Sequence, residues 1–290
     1  MHAVDGAPIV LPEAEWRSRA AAHLERMRRF TTPHRERKQR GEAHPVMDFL
    51  FTYYSHRPTR LEEWHPGPGV VLLSAAEYLA RAGYGPADDA RGVRLDPTAV
   101  PRLTPTARFI HTLLTATAGR PPRLSCFGLH EWAMVYRSGE PRHATVPLRL
   151  GAAATDAVVE SLPVHCTHHD AFRFFAPQAR SRNAVTPARA DQVEFEQPGC
   201  LHATMDLYKW AYKLAPATPS DLVAACFELA ADVRELDMRA SPYDLTAHGY
   251  SPVPIETAAG RATYARAQVG FAQRATPLRA RLVDLCSALL

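Results

Sequence analysis

The sequence lacks the features that mark membrane proteins and disulfide-rich secreted proteins. No run approaches the roughly 20 apolar residues that cross a bilayer, and residues 1–12 show no basic stretch followed by an apolar one. The five cysteines are odd in number, scattered and without a C-x-x-C pair, which argues against a disulfide framework and a cysteine zinc site. We therefore expect a cytoplasmic protein with no membrane partner.

The chain also lacks internal repeats and low-complexity tracts, and its apolar content of 46% and charged content of 22% are those of an ordinary globular protein. Nothing in the sequence requires a domain boundary, so we expect one domain over 1–290. Residues 1–42 are expected to form a basic helical segment packed on that domain. Residues 176–198, with three prolines and no periodicity, are predicted to form a long loop of the kind that covers sites.

What the sequence does contain is mostly helical patterning. Apolar spacing predicts a mainly α fold of many helices, at 12–30, 45–55, 73–82, 105–118, 200–214, 218–238, 256–274 and 277–288. Thr-Pro pairs at Thr32, Thr104 and Thr218 each offer a capping hydroxyl followed by proline, which predicts three helix starts. Short β-like runs at 123–127, 145–150 and 162–166 predict a small central hairpin or sheet.

Histidine is abundant, with 14 residues, and two histidines recur in one pattern with aspartate. His44 precedes Asp48 by four positions, and His202 precedes Asp206 by the same spacing. Residues four apart share a helix face, so each pair offers half of a metal site, and two such helices facing each other can close one. The alternative is a helix cap in which the aspartate orders the imidazole.

A third histidine cluster lies at 165–170, where His165 and His168 bring more imidazoles close to a carboxylate. Further acids occur at Glu131, Glu196, Glu235 and Asp237, whereas Met134 stands where an H-E-x-x-H zinc motif starting at His130 would need its second histidine. We predict a mononuclear or dinuclear metal site, holding iron, with manganese or zinc as alternatives. Its predicted ligands are His44, Asp48, His165, His168, His202 and Asp206.

Other side chains are expected around that metal. Lys209, Glu235 and Asp237 are predicted to transfer protons, because burial would shift their pKa values toward neutrality. Guanidinium groups in aromatic or acidic surroundings need an anionic partner, either a structural carboxylate or a substrate. The predicted substrate-binding residues are Arg57, Arg173 and Arg239 together with Tyr54, Trp64 and Trp210, although the aromatic residues are equally compatible with plain core.

Six blocks of the sequence resemble a family of bacterial, mainly actinobacterial, proteins commonly labelled 3-methyladenine DNA glycosylase. The blocks are HPVMDFLFTYYS at 44–55, WHPG at 64–67, HCTH at 165–168, EQPGCLH at 196–202, MDLYKW at 205–210 and ELDMRASPYD at 235–244. The resemblance implies excision of alkylated purines, with a base flipped out of the duplex. The eight arginines and one lysine of 17–40 could then contact DNA phosphates, or simply form a solvated helix face.

Three functions follow from these observations. A metal-dependent oxidase, oxygenase or hydrolase acting on a small anionic substrate accounts for the repeated histidine and carboxylate pairs. A DNA glycosylase matches the resemblance but requires no metal. A binding protein without chemistry is the third alternative. We rank the metal-dependent enzyme first.

Overall fold

The computed structural model describes residues 7–88, 91–138 and 146–290, and it confirms a mainly α fold with one small sheet. Twelve α-helices occur in the described ranges, and their bounds follow. They are α1 (Glu13–Gln39), α2 (Phe49–Tyr53), α3 (Pro58–Glu62), α4 (Thr104–Ala118), α5 (Leu129–Val135), α6 (Gly151–Ser161), α7 (His169–Phe172), α8 (Pro177–Arg180), α9 (Gln192–Phe195), α10 (Leu201–Lys213), α11 (Ser220–Arg239) and α12 (Ala258–Ala288). None of them is long and apolar enough to cross a membrane.

The sheet comes from the first hundred residues. Its strands are β1 (Ile9–Leu11), β2 (Val70–Leu73), β3 (Tyr84–Pro86) and β4 (Gly92–Leu95), in the order β1-β2-β4-β3. β1 pairs parallel to β2, with Val10 opposite Val71, and the two other pairings are antiparallel. Gly92 is required where β4 pairs with β2, because a Cβ there would lie 2.5 Å from Val71 Cγ1.

By its internal contacts the chain divides into two compact units, which we call unit 1 and unit 2. Unit 1 comprises Met1–Leu114, Leu207–Glu228 and Leu278–Leu290, and unit 2 comprises Thr115–Asp206 and Leu229–Pro277. The prediction of one domain stays a prediction.

Unit 1 is built around α1 and the sheet. Trp16 is 3% exposed, donates its indole N–H to the carbonyl of Leu73 at 2.9 Å and meets the ring of Tyr78 edge-on. The buried positions of α1 recur every three, four or seven residues from Trp16 to His34, on both sides of Pro33. This continuous buried stripe explains why the predicted helix start at Thr32 is wrong: packing on both sides offsets the one hydrogen bond that Pro33 removes.

The basic segment predicted for 1–42 is helical over Glu13–Gln39, and most of its charge is used within unit 1. At least seven of its cations lie within ion-pair distance of carboxylates: Arg17, Arg19, Arg26, Arg29, Arg35, Arg37 and Arg40. Pairs of this kind lower the positive potential that phosphates would meet. Contact of this segment with DNA stays a prediction.

Unit 2 packs around α5, which is buried over its whole length. Trp132 is fully buried, and its indole N–H donates to the carbonyl of Ala240 at 2.8 Å. The strands predicted in this region are wrong. Residues 123–127 form no strand, and Leu148 and Val164 make only isolated bridges. Thr145 lies outside the described residues.

The side chain of Asn183 explains the false strand at 162–166. Its Oδ1 accepts the N–H of Cys166 at 2.7 Å, and its Nδ2 donates to the carbonyl of Cys166 at 2.8 Å. Val164 and Cys166 are buried and alternate with exposed residues, as in a strand. Their alternation is genuine, but an asparagine amide takes the place of a neighbouring strand.

Four further predictions of local structure need correction. The helix predicted at 73–82 is the end of β2 followed by a 3-10 turn at Ala76–Ala80, and the helix predicted at 45–55 is the short α2. The helices predicted at 256–274 and 277–288 are one helix, α12, with Pro277 inside it. The predicted loop 176–198 contains α8, a 3-10 turn at Arg189–Asp191 and α9.

Candidate metal centre

Two groups of buried imidazoles and carboxylates lie within unit 2. The histidine group consists of His130, His202 and Asp237, and the carboxylate group consists of His168, Glu196 and Asp206. In each group the potential ligand atoms lie within 4.8 Å of one another. All six side chains are buried. Sets of this composition are those that bind iron, manganese or zinc in proteins.

Five helices position these side chains, two of which adjoin the residue rather than contain it. His130 lies on α5, Asp237 on the last turns of α11, His168 immediately before α7, and Glu196 immediately after α9. His202 and Asp206 lie on α10 one turn apart, so they present a nitrogen and an oxygen ligand on the same face. The predicted pair is therefore buried, and each member belongs to a different group.

The spacing within the histidine group is compatible with ligands of one ion. His130 Nε2 lies 3.0 Å from Asp237 Oδ1, yet neither atom has a hydrogen-bond partner among the described residues. Two ligands at about 2.1 Å from one ion are about 3.0 Å apart at a right angle and about 3.4 Å apart at the tetrahedral angle. The rings of His130 and His202 lie perpendicular, with centroids 4.5 Å apart.

The carboxylate group shows similar separations. His168 Nε2 lies 3.2 Å from Glu196 Oε1 and 3.5 Å from Asp206 Oδ2. Gln192 donates its side-chain amide to Glu196 Oε1 at 2.5 Å, which fixes that carboxylate one turn further along the chain. The rings of His168 and His202 are stacked with centroids 5.3 Å apart, so the two groups are neighbours.

Arg234 contacts one carboxylate of the histidine group, Asp237, and the neighbouring Glu131. Its Nη1 lies 2.9 Å from Glu131 Oε1 and 3.3 Å from Asp237 Oδ2. Arg234 and Asp237 are 1% and 0% exposed. The guanidinium thus engages one oxygen of Asp237 and leaves the other, Oδ1, facing His130. Such outer contacts orient metal-binding carboxylates in many sites.

Negative charge predominates in this interior. Among the described residues of unit 2, four carboxylates are buried (Glu131, Glu196, Asp206 and Asp237) against the single guanidinium of Arg234. Before protons on His130 and His168 are counted, this is an excess of three buried negative charges, which is costly unless cations or protons compensate it. Divalent cations are one such compensation.

The pKa values of the histidines reflect the same buried negative charge. Burial alone would lower the pKa of His168, but the neighbouring carboxylates of Asp206 and Glu196 raise it to about 9. Burial likewise opposes protonation of His130, and the charge of Asp237 overcomes it, so that the pKa of His130 lies well above its usual value. Burial and the nearby His130 hold the pKa of His202 well below its usual value.

A cavity of about 260 Å³ opens onto the histidine group. His130 and His202 line it, whereas the three members of the carboxylate group do not. Cys126 Sγ lies 3.7 Å from His130 Nδ1, the ring nitrogen that points away from Asp237, and so orients the imidazole. Burial raises the pKa of the Cys166 and Cys200 thiols that also line the cavity, which keeps them neutral.

Polar groups for a ligand also line the cavity. Gln268 is 1% exposed; its Nε2 donates to the carbonyl of Gly199 at 2.6 Å, while its Oε1 has no partner among the described residues. Arg123 is exposed at the same cavity, and burial keeps the Tyr264 phenol neutral by raising its pKa. A ligand here would meet one cation, one unused acceptor and the three imidazoles of His130, His165 and His202.

The other predicted metal ligands lie outside both groups. His165 is exposed and lines the cavity. In unit 1, Asp48 is paired with Arg37 at 2.5 Å and with His34 Nδ1 at 2.9 Å, and it accepts the backbone N–H of His44. His44 Nδ1 accepts the backbone N–H of Met47. The pair at 44–48 therefore closes a turn through the backbone N–H of His44, and the imidazole that Asp48 contacts at 2.9 Å is that of His34.

The predicted aromatic lining is core. Tyr54, Trp64 and Trp210 are 4%, 9% and 4% exposed and belong to unit 1. Tyr54 meets the ring of Tyr208 edge-on, and Trp64 packs in the cluster beneath the sheet. None of the three lines the cavity described above.

The predicted proton-transfer and anion-binding residues have other contacts. Lys209 lies over the ring of Trp210 at 4.5 Å, and Glu235 pairs with Arg239 at 3.1 Å. Arg173 pairs with Asp170 at 3.2 Å, and Arg57 is exposed at the start of α3. Of the three predicted proton-transfer residues, only Asp237 is in a metal group.

Three members of the two groups were not predicted as ligands: His130, Glu196 and Asp237, the last of which was predicted to transfer protons. A pattern in the sequence does point to Asp237: Cys226, Ala230 and Val233 form the apolar stripe of α11, and Asp237 continues it four residues later. A carboxylate on an apolar stripe is buried and needs a cationic partner. His130 is similarly the second residue of a helix that is otherwise apolar apart from Glu131.

Comparison of the chain with protein families, with curated proteins and with solved structures found no match. The predicted membership of the glycosylase family stays a prediction.

Proposed function

We propose that this protein is a metal-dependent enzyme whose ion is held by His130, His202 and Asp237. The observation that carries the proposal is the buried cluster itself, in which His130 Nε2 lies 3.0 Å from Asp237 Oδ1 and the potential ligand atoms of all three side chains lie within 4.8 Å of one another. Two imidazoles and one carboxylate on one side of an ion leave coordination positions open, an arrangement typical of non-haem iron enzymes.

The cavity favours a small anionic substrate. Its volume of about 260 Å³ admits a molecule of modest size, and Arg123 offers the positive charge that a carboxylate or phosphate group would meet. Gln268 Oε1 would accept a hydrogen bond from a donor on the same molecule. Cys126 and Asp237 hold the two sides of the His130 ring, and this fixes the direction of the imidazole toward the cavity.

The identity of the ion decides the reaction. Iron at this group would supply oxygen-dependent oxidation, whereas zinc would supply Lewis-acid activation for hydrolysis. Both reactions remain within the proposal, and manganese suits the same ligands.

Metal analysis of the purified protein tests the proposal. We expect bound iron, manganese or zinc by plasma mass spectrometry, and we expect His202→Ala and Asp237→Asn to lose the ion of the histidine group. His165→Ala is the matched control, because this histidine lines the same cavity outside both groups and its loss should leave the metal content unchanged. Wild-type protein without metal, even after growth and purification with added metal, would refute the proposal.

A further inference from the structure

The carboxylate group brings one buried imidazole against two buried carboxylates. His168 is 1% exposed, and neither of its ring nitrogens has a hydrogen-bond partner among the described residues. A buried imidazole normally donates or accepts at least one hydrogen bond. Here Nε2 faces two carboxylate oxygens at 3.2 and 3.5 Å. Those are the separations of three ligands around a common ion.

The local charge also favours a cation. Glu196 and Asp206 carry two negative charges, and protonation of His168 would compensate one of them. Arg234, the buried guanidinium of unit 2, is engaged with Glu131 and Asp237 instead. A divalent cation would compensate both carboxylates and occupy the space toward which His168 Nε2 points.

The group is held in place before any ion binds. Gln192 fixes Glu196, and α10 fixes Asp206 one turn beyond His202. The sulfur of Cys166 lies 3.6 Å from the carbonyl oxygen of His168 and positions the backbone at that residue. Ligands supplied by rigid elements lose little conformational entropy on binding.

We propose that His168, Glu196 and Asp206 bind a second divalent metal ion beside the histidine group, so that the protein contains a two-ion centre. One imidazole with two carboxylates is an oxygen-rich set that suits manganese or ferrous iron. Because none of the three side chains lines the cavity, this ion sits behind the first one as seen from the substrate. Its role is to compensate charge and to fix the position of α10, on which His202 lies. The proposal extends the proposed function but has its own ligands.

Manganese binding to the full-length, metal-depleted protein tests this inference. The free Mn²⁺ signal in electron paramagnetic resonance gives the stoichiometry. Wild type should bind two ions, Glu196→Gln one and Asp237→Asn one. Asp206→Asn is the second variant of the carboxylate group, and Glu160→Gln, an exposed carboxylate of unit 2 outside both groups, should still bind two. Circular dichroism and thermal unfolding establish that each variant is folded.

The outcomes separate the two proposals. One ion in wild type that persists in Glu196→Gln and disappears in Asp237→Asn would overturn the second site and leave the first. One ion that disappears in Glu196→Gln and persists in Asp237→Asn would overturn the first site and leave the second. Absence of binding in wild type would overturn both. In the two-ion protein, spin coupling should broaden the bound Mn²⁺ spectrum, and Glu196→Gln should restore the spectrum of an isolated ion.

Discussion

His130 Nε2 and Asp237 Oδ1 lie 3.0 Å apart in a fully buried environment. A protein gains little from bringing a nitrogen and a carboxylate oxygen so close unless a proton or a cation lies between them. Arg234 holds the other oxygen of Asp237, so the carboxylate cannot rotate freely away. The relationship is therefore built into the fold, and a proton or, as proposed above, a shared ion would compensate it.

Metal removal should destabilise the protein. A ligand present at about 1,000 times its dissociation constant stabilises the folded state by about 4 kcal/mol. We expect chelation to lower the thermal unfolding temperature and metal to restore it, measured by calorimetry. In His202→Ala, chelation should have a clearly smaller effect. An unfolding temperature that is the same with metal and with chelator would contradict the prediction.

Asp48 should matter for stability and not for metal binding. It is buried between Arg37 and His34, and Asp48→Asn would leave the largely buried guanidinium of Arg37 without its charge partner. Removing one member of such a pair costs about 3 kcal/mol, which urea unfolding would measure. The metal content should stay at the wild-type value. Glu42→Gln is the control: this residue pairs with Arg40 in solvent, and its loss should produce no measurable change. A loss of metal in Asp48→Asn would contradict this prediction and indicate that Asp48 is a metal ligand.

Unit 1 should lose stability as the pH falls from about 6.5 to about 4. Burial, together with the charge of Arg60, lowers the pKa of His56 from 6.5 to about 4. Between these values the unfolded chain binds a proton that folded His56 does not, so the stability present above pH 6.5 decreases on acidification, by at most about 3 kcal/mol for this group.

Urea unfolding at pH 7, 6 and 5 measures this slope, and His56→Gln should reduce it. His56 accepts or donates a hydrogen bond with Tyr208 and stacks on Tyr212, so the variant is also expected to be less stable at pH 7. Proton resonances of the ring report the pKa directly. A titration of His56 centred near 6.5 would show that the ring is not buried as described.

Two glycines of α12 should respond in opposite directions to the same change. A Cβ on Gly260 would overlap the carbonyl of Pro254, in the turn where Thr257 caps the helix, whereas a Cβ on Gly270 meets nothing within 4 Å. Gly260→Ala should therefore destabilise the protein by several kcal/mol through strain. Gly270→Ala should stabilise it by about 1 kcal/mol through helix propensity. Thermal unfolding compares them, and equal effects would be inconsistent with this packing.

The sequence predicted helices correctly where residues close together in the chain are enough to define them. The apolar periodicity of 200–214 and 218–238 predicted α10 and α11 almost to the residue, and Thr104 begins α4 as its Thr-Pro pair indicates. The same rule failed at Thr32, because the buried stripe of α1 continues past Pro33. Sequence periodicity reports which side of a helix is apolar, and only the surrounding packing decides whether a proline ends that helix.

The histidine and aspartate pairs show the same division. His202 with Asp206 and His44 with Asp48 have identical spacing, and spacing alone placed both pairs at one metal site. The first pair is buried with four other potential ligands in two groups, whereas Asp48 of the second pair is compensated by Arg37 and His34. The partners of Asp48 lie at most 14 positions away in the sequence. The partners of His202, which are Asp237 and His130, lie more than 30 positions away.

By itself the sequence determined the helical class, the main helices and the supply of imidazoles and carboxylates, because those depend on residue type and on spacing within one element. The tertiary structure alone decided which acids and histidines meet, and it replaced His44, Asp48 and His165 by His130, Glu196 and Asp237 around the two groups. The physical reason is that a metal site depends on distances of a few ångströms between segments far apart in the chain. Local sequence patterns carry no information about those distances.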